Sequence, residues 1–305
     1  MKKLKTPISL LLAVIMLAAG FAVPVSAAGM TADDWNSYYY DETGDALKGL
    51  IMQPGSDESS RSFSWYADKD AAACEVKISD NEDMRGAKTF TGALDGTYQG
   101  DKRARVTVTG LEAETEYFYT CISDGYESDV YSFTTEGDGF SAMFVTDIHI
   151  SGETDSLEDV KKDALTFGNI VSQAKEGSKA NGREITTVLS AGDQASSGFR
   201  SEYIGLTASE AIKSVDFATS IGNHDRKGVD YKFFKSVPNE YNGIVNSYQG
   251  GDYWFTKGDV LFMVMDSNNG SGVDHHSFMQ KAIAKNPDAK WRVCMMHHDL
   301  WGQTL

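Results

Sequence analysis

Cysteine is scarce in this chain, with three residues in 305, so a disulfide framework cannot be the basis of the fold. Basic residues are also short: 28 Lys and Arg face 44 Asp and Glu, for a formal charge of −16. Nucleic-acid backbones are held by Lys and Arg, so this acidity argues against a nucleic-acid partner. A small phosphorylated ligand stays open, because bound cations reverse the local field inside one cleft. Only one run is apolar enough to suggest a membrane, Ile8 to Val23. It follows Met1-Lys2-Lys3-Leu4-Lys5 and precedes Val25-Ser26-Ala27-Ala28, the pattern of a cleaved secretory leader, here residues 1–28. Cleavage removes three lysines and leaves 25 basic against 44 acidic residues, a net −19. The mature protein is therefore expected outside the cytoplasm, secreted or at the cell surface or in the periplasm, with no stable membrane span.

What the chain does contain falls into two patterns. After a polar and aromatic arm (29–48, with Tyr38-Tyr39-Tyr40), residues 49–136 show short alternating segments separated by turn residues. Phe63 and Trp65 alternate with Ser62 and Ser64, Cys74, Val76 and Ile78 with Glu75 and Lys77, and Val106 and Val108 with Thr107 and Thr109. Each strand is expected to bury one face, as in a β-sandwich. From 138 to 305 strands alternate with helices, which predicts an α/β layered domain. Leu157, Val160, Ala164, Phe167, Val171 and Ala174 recur at helical spacing and predict a core-facing helix ending at Gly177. A polar loop to Ser201, a helix near Ser209 to Lys213, a hairpin at Tyr253–Met265, a helix around Phe278 to Ala284 and a last strand at Val293–Met296 complete the pattern. Cys294 within that strand reads as a small core residue. Asn269-Gly270-Ser271 fits a glycosylation sequon.

Four expected strands end on polar residues able to bind metal or move protons: Asp147-Ile148-His149, Gly192-Asp193, Gly222-Asn223-His224-Asp225, and His297. Strand ends are where sheet proteins keep their chemistry. Singly, each has a duller reading as a cap or turn residue. Jointly, in this order, they resemble the calcineurin-like metallophosphoesterases. Leu111 before a turn with Tyr117 after it resembles the tyrosine corner of fibronectin type III domains. With Trp65 and Tyr131-Ser132-Phe133-Thr134-Thr135, the sandwich ahead of the catalytic domain is similar to the N-terminal domain of purple acid phosphatases.

The resemblance implies two divalent or trivalent ions, Fe, Zn or Mn, ~3.5–4 Å apart. Asp147 and His149 would hold one and Asn223 and His297 the other, with Asp193 bridging. It implies hydrolysis of phosphomonoesters or phosphodiesters by attack of a metal-bound hydroxide, with His224 assisting the leaving group. Asp225 and Asp266 are candidates for supporting or turn roles, His298 for the substrate side, and His275 and His276 for solvated or capping positions before the Phe278 helix. Two departures stand out. Gly192-Asp193-Gln194-Ala195-Ser196 lacks the tyrosine of the purple enzymes, and the family's late Gly-His-x-His is absent from the six histidines. The sequence reads as truncated inside the catalytic domain. The alternative function is a secreted binding or adhesion protein with an inert phosphoesterase-like domain. Aligned by the tyrosine corner, Cys74 and Cys121 fall on neighbouring strands, either as a bridge or as two buried thiols.

Overall fold

β-Branched and aromatic alternation in residues 48–134 forms nine strands in two facing sheets, as the computed structural model shows. The structure describes residues 38–40, 42, 47–137, 139–151, 156–243 and 251–299. The leader expected at 1–28 and most of the arm lie outside them. One sheet has the order β1 (Lys48–Pro54), β2 (Ser60–Asp68), β6 (Asp101–Thr109), β5 (Ala93–Tyr98). The other runs β4 (Lys88–Thr91), β3 (Cys74–Ser79), β7 (Glu116–Ser123), β8 (Tyr126–Glu127), with β9 (Tyr131–Thr134) also on β7. Phe63, Trp65, Val76, Val106, Val108, Tyr119 and Cys121 meet between the sheets. The Tyr117 hydroxyl accepts from the Glu112 N–H at 2.9 Å, locking the turn before β7. Cys74 pairs with Ser123, and Cys121 with Val76, so the two thiols are offset along the ladder and remain free.

The expectation that each strand buries one face fails at β1 and β2. Ser62 and Ser64 are as buried as Phe63 and Trp65. The outer face of this sheet is covered by the second domain: Ile51 joins that domain's core and Ser64 Oγ donates to Phe234 O at 2.9 Å, while from β7 of the other sheet Tyr119 Oη donates to Lys213 O at 2.9 Å. The junction also holds four buried charges. Glu136 pairs with Arg61 (2.7 Å) and Lys257, and Asp216 pairs with Lys257 (2.7 Å) and Arg61 (3.2 Å). Burial pushes the Glu136 carboxyl up, but Lys257 and Arg61 prevail and bring its pKa to about 2.

In the second domain β10 (Ala142–Val145), β11 (Thr187–Ser190) and β12 (Asp216–Thr219) form a parallel sheet. A second sheet joins the hairpin β13 (Tyr253–Lys257) and β14 (Val260–Val264) to β15 (Trp291–Met295), parallel to β14. The sheets face each other across Leu189, Ala218, Phe255, Phe262 and Val264. Helices α1 (Leu157–Ala180), α2 (Arg200–Ala208) and α3 (Glu210–Lys213) cover the first sheet, and α4 (Tyr231–Phe234) leads toward the hairpin. Helix α5 (Gly272–Lys285) packs Phe278 and Ala282 on β14.

Several boundaries differ from expectation. Helix α1 runs through Gly177, because an exposed glycine costs a helix only about 1 kcal/mol. It ends where Asn181 caps it and Gly182 turns left-handed at φ 86°. Leu157 in its first turn is exposed rather than packed. The segment expected as a loop up to Ser201 already contains the start of α2, which Glu202 caps by accepting from the Phe199 N–H at 2.7 Å. His275 and His276 lie inside α5, whose true cap is Ser271. Cys294 is exposed, not a core residue, because β15 pairs only with β14 among the described strands and most of its side chains are uncovered. Asn269 is buried, with Oδ1 accepting from Ser271 N, so the sequon does not present its amide to solvent. Among the described residues no helix is long and apolar enough to cross a membrane.

Candidate metal centre

The three parallel strands β10, β11 and β12 end at one edge, and the loops that follow continue their pairing. Asp147 N donates to Gly192 O (3.0 Å), His149 N to Asp193 O (3.0 Å) and Ile150 N to Gln194 O (3.1 Å). To face one another, Asp147, His149 and Asp193 adopt left-handed backbone, with φ of 53°, 50° and 53°. Asp and His visit that region more readily than most side chains, yet each instance costs on the order of 1–3 kcal/mol. Surrounding hydrogen bonds hold the strain in place.

Asp193 is the hub. Its Oδ2 lies 3.5 Å from His149 Nε2 and 3.3 Å from His297 Nε2. Its Oδ1 accepts from His224 N at 2.9 Å. His149 Nε2 is also 3.6 Å from Asp147 Oδ1, and His297 Nε2 is 3.1 Å from Asn223 Oδ1. Two donor groups result, Asp147, Asp193 and His297, and His149, Asp193 and His224, each with ligand atoms within 4.8 Å of one another. All five residues expected to hold metal therefore converge, and Asp193 is common to both groups.

The donor set fits metal ions on structural grounds. Carboxylate, amide and imidazole ligands without thiolate suit Fe, Zn or Mn. His297 Nδ1 lies 3.0 Å from Ala191 O, so a proton there donates to the carbonyl, and Nε2 is the nitrogen turned toward Asp193. Two glycines make room. A Cβ on Gly222 would lie 2.0 Å from Asp193 Oδ1, and one on Gly192, itself at φ 104°, 2.6 Å from His297 Nδ1. Burial raises the Asp193 pKa, but the His297 hydrogen bond and the His224 N–H outweigh it and hold the carboxyl below its usual range. The same hydrogen bond lifts His297 above the ordinary imidazole value, against burial.

Asp225 settles between the two roles considered for it. Its carboxylate accepts from Gly222 N (2.9 Å), Gln194 N (3.1 Å), Ala195 N (3.2 Å) and Tyr203 Oη (3.0 Å), tying the loop after β11 to the loop after β12. Burial pushes its pKa up to about 6 despite these donors. Asp266 lies 3.6 Å from Arg226 Nη1 and accepts from Asn268 N at 2.9 Å. His298 takes the other direction from His297: its Nδ1 meets Ser267 Oγ at 2.8 Å. His275 bonds Asn269 O at 2.7 Å and lies 3.4 Å from Asp252, whose hydrogen bond raises its pKa. Sequence reasoning did not point to Tyr203, Gln194, Ser196 or Lys227, since each acts on the loops or on His224 through contacts that leave no local signature. A cavity of about 480 Å³ opens beside Asp147 and His149, lined also by Lys162, Asp163, Phe167 and Ile170.

Strand ends bearing oxygen and nitrogen donors around one shared carboxylate define a layered α/β protein with candidate metal-ligand groups at one edge of its sheet. The model of the family described as calcineurin-like phosphoesterase matches residues 140–304, over half of the chain. The chain belongs to that family. Residues 48–135 match the purple acid phosphatase N-terminal domain. Purple acid phosphatase PPD1 from yellow lupin (Lupinus luteus) seeds shares the fold, with a TM-score of 0.59 and 14% identity over 83% of this chain and 51% of that one. A structure of PhoD aligns at a TM-score of 0.46 and 12% identity, covering 82% of this chain and 62% of that one. The chain thus spans about half the length of the lupin enzyme. No curated protein matches it.

Proposed function

We propose that this chain is part of a metal-dependent phosphoesterase working outside the cytoplasm on phosphomonoesters or phosphodiesters. The observation that carries the reading is the shared carboxylate: one oxygen of Asp193 lies 3.5 Å from one imidazole and 3.3 Å from another. Asp147 and His149 would hold one ion, Asn223 and His297 a second, with Asp193 between. Bound there, a cation pair neutralises phosphate charge and makes a water nucleophilic at neutral pH. The residues supply position. Left-handed Asp147, His149 and Asp193 aim their ligand atoms before any substrate arrives, and Asn223 presents a neutral oxygen that adds no further charge repulsion. His224, whose backbone N–H is anchored on Asp193, is assigned to the leaving oxygen, to which its ring gives a hydrogen bond or a proton as the P–O bond breaks. The ring's nearness to His149 and Asp193 also permits ligation. Export follows from the leader pattern at residues 1–28.

The test is metal content by elemental analysis of the full-length protein, together with hydrolysis of p-nitrophenyl phosphate and its bis ester. Asp193→Ala is expected to lose both ions and all turnover, and Asn223→Ala to lose one ion. Equal loss in the two variants would refute the shared ligand. A wild-type protein with neither metal nor turnover would favour the binding or adhesion role.

A further inference from the structure

The cavity beside Asp147 and His149 lies between β10 and α1, and its polarity changes along its length. Alternation along β10 sends Ala142 toward the core between the sheets, while Met143 and Val145 turn to the α1 side. On α1, Asp159, Asp163, Thr166 and Ile170 follow at steps of four, three and four and so form one stripe along the cavity. Because α1 returns the chain from β10 to the parallel strand β11, it runs against both strands, with its first turns near the loop that carries Asp147 and His149. The Ser151 N–H donates to Asp163 Oδ2 at 2.9 Å and fixes that end two residues past His149. The charged part of the stripe therefore lies at the candidate metal centre, and Ile170, about 10 Å further along the helix axis, lies at the other end.

That far end is apolar. Met143, Val145, Phe167 and Ile170 wall it, and Ile170 is 46% exposed beside the closely packed Phe167. A volume of about 480 Å³ is in the range of cavities that take small organic ligands. We infer that this cavity receives the organic group of a phosphoester: with the phosphate at the metal centre, an uncharged alkyl or aryl group extends along α1 to Ile170. The inference rests on the phosphoesterase reading above and narrows its substrate class. Charge decides against a second anionic group, because Asp159 and Asp163 line the cavity with Lys162 as one cation against them. A leaving group bearing its own phosphate or carboxylate meets net negative charge there. An apolar one covers Met143, Val145 and Ile170 and gains with each methylene removed from water.

The experiment measures binding of methyl-, butyl- and hexylphosphonate to the full-length metal-loaded protein by calorimetry, beside hydrolysis of the matching alkyl phosphates. A phosphonate keeps the charged head and has no ester bond to the chain. Burying one methylene is worth about threefold in affinity, so Kd is expected to fall about threefold per added carbon, with a heat-capacity change that grows more negative along the series. 3-Carboxypropylphosphonate, similar in length to the butyl compound, should bind about tenfold more weakly than it. Ile170→Asp puts a charge at the apolar end, and Thr166→Trp fills the cavity from the same stripe; both positions are exposed, so the helix tolerates the changes. Each variant should reduce the preference for hexyl over methyl to about threefold or less, with methylphosphonate affinity, metal content and turnover of methyl phosphate as in wild type. Absence of binding, a Kd independent of chain length, as when polypeptide fills the cavity, a preference that survives both variants, or tighter binding of the carboxypropyl compound would each overturn the inference. Protein that shows the expected Kd series yet hydrolyses none of the esters keeps the cavity assignment and overturns the phosphoesterase reading. Hydrolysis of methyl and hexyl phosphates at equal kcat/KM, with a flat Kd series, does the reverse.

Discussion

Replacing Asp225 separates two effects that its environment combines. The carboxylate accepts from three backbone N–H groups and the Tyr203 hydroxyl at 2.9–3.2 Å, all within the buried junction of two loops. Each buried donor left without an acceptor costs about 1–3 kcal/mol. Asp225→Ala orphans four donors, and even with partial relaxation it should destabilise by roughly 3–6 kcal/mol. It also frees Gly222 and Gln194 from each other, so metal content should fall. Asp225→Asn keeps one acceptor oxygen for Tyr203 and the Gln194–Ala195 amides and turns an NH₂ toward Gly222 N–H, one lost bond worth about 1–3 kcal/mol.

The pH dependence follows from burial. The folded pKa, about 6, lies above the ordinary 3.8, so the native state binds the proton more tightly than the unfolded chain. The resulting stabilisation is full below pH 3.8 and is lost as pH rises through 6, in total about 3 kcal/mol. Asparagine lacks this dependence. In metal-free protein, urea unfolding should therefore show the D225N penalty larger at pH 4 than at pH 7 by about 2–3 kcal/mol, with the lost Gly222 bond remaining at both. A D225N penalty that is the same at both pH values, or a D225A no worse than D225N, would refute the reasoning.

Gly222→Ala should cost most of the bound metal, because its Cβ would sit 2.0 Å from Asp193 Oδ1 and push the shared carboxylate away. Full metal content in G222A would mean the loop yields freely. Lys257→Met leaves Arg61 as the one cation paired with Glu136 and Asp216 among the described residues of the interdomain junction, a break worth about 3–5 kcal/mol. Denaturant unfolding followed by tryptophan fluorescence measures it, and Glu136→Gln added to K257M should recover part of the loss. A K257M variant as stable as wild type would show that the four charges carry no net coupling.

Much of the site was legible in the sequence because metal ligation demands few residue types, and strands deliver them in a fixed order. Asp147, His149, Asp193, Asn223 and His297 each follow an apolar run, and His297 rather than His298 faces Asp193, as its place directly after the strand suggested. The two architectures were legible too, since alternation of period two and helical repeats of three and four are local properties of the chain. Periodicity shows that a face wants cover, not what covers it. Hence Ser62 and Ser64, polar by type, turned out buried under the second domain, while Cys294, apolar by context, lies exposed on a strand that pairs only with β14 among the described strands. The supports of the site were hidden for the same reason. Asp225 reads as a turn residue until Tyr203, 22 positions earlier, and the Gln194 and Ala195 amides are brought around it. The chain's own order thus determined which atoms could bind metal, and only the packing of distant loops decided how they are held, because hydrogen bonds between segments far apart in sequence leave no mark on either segment alone.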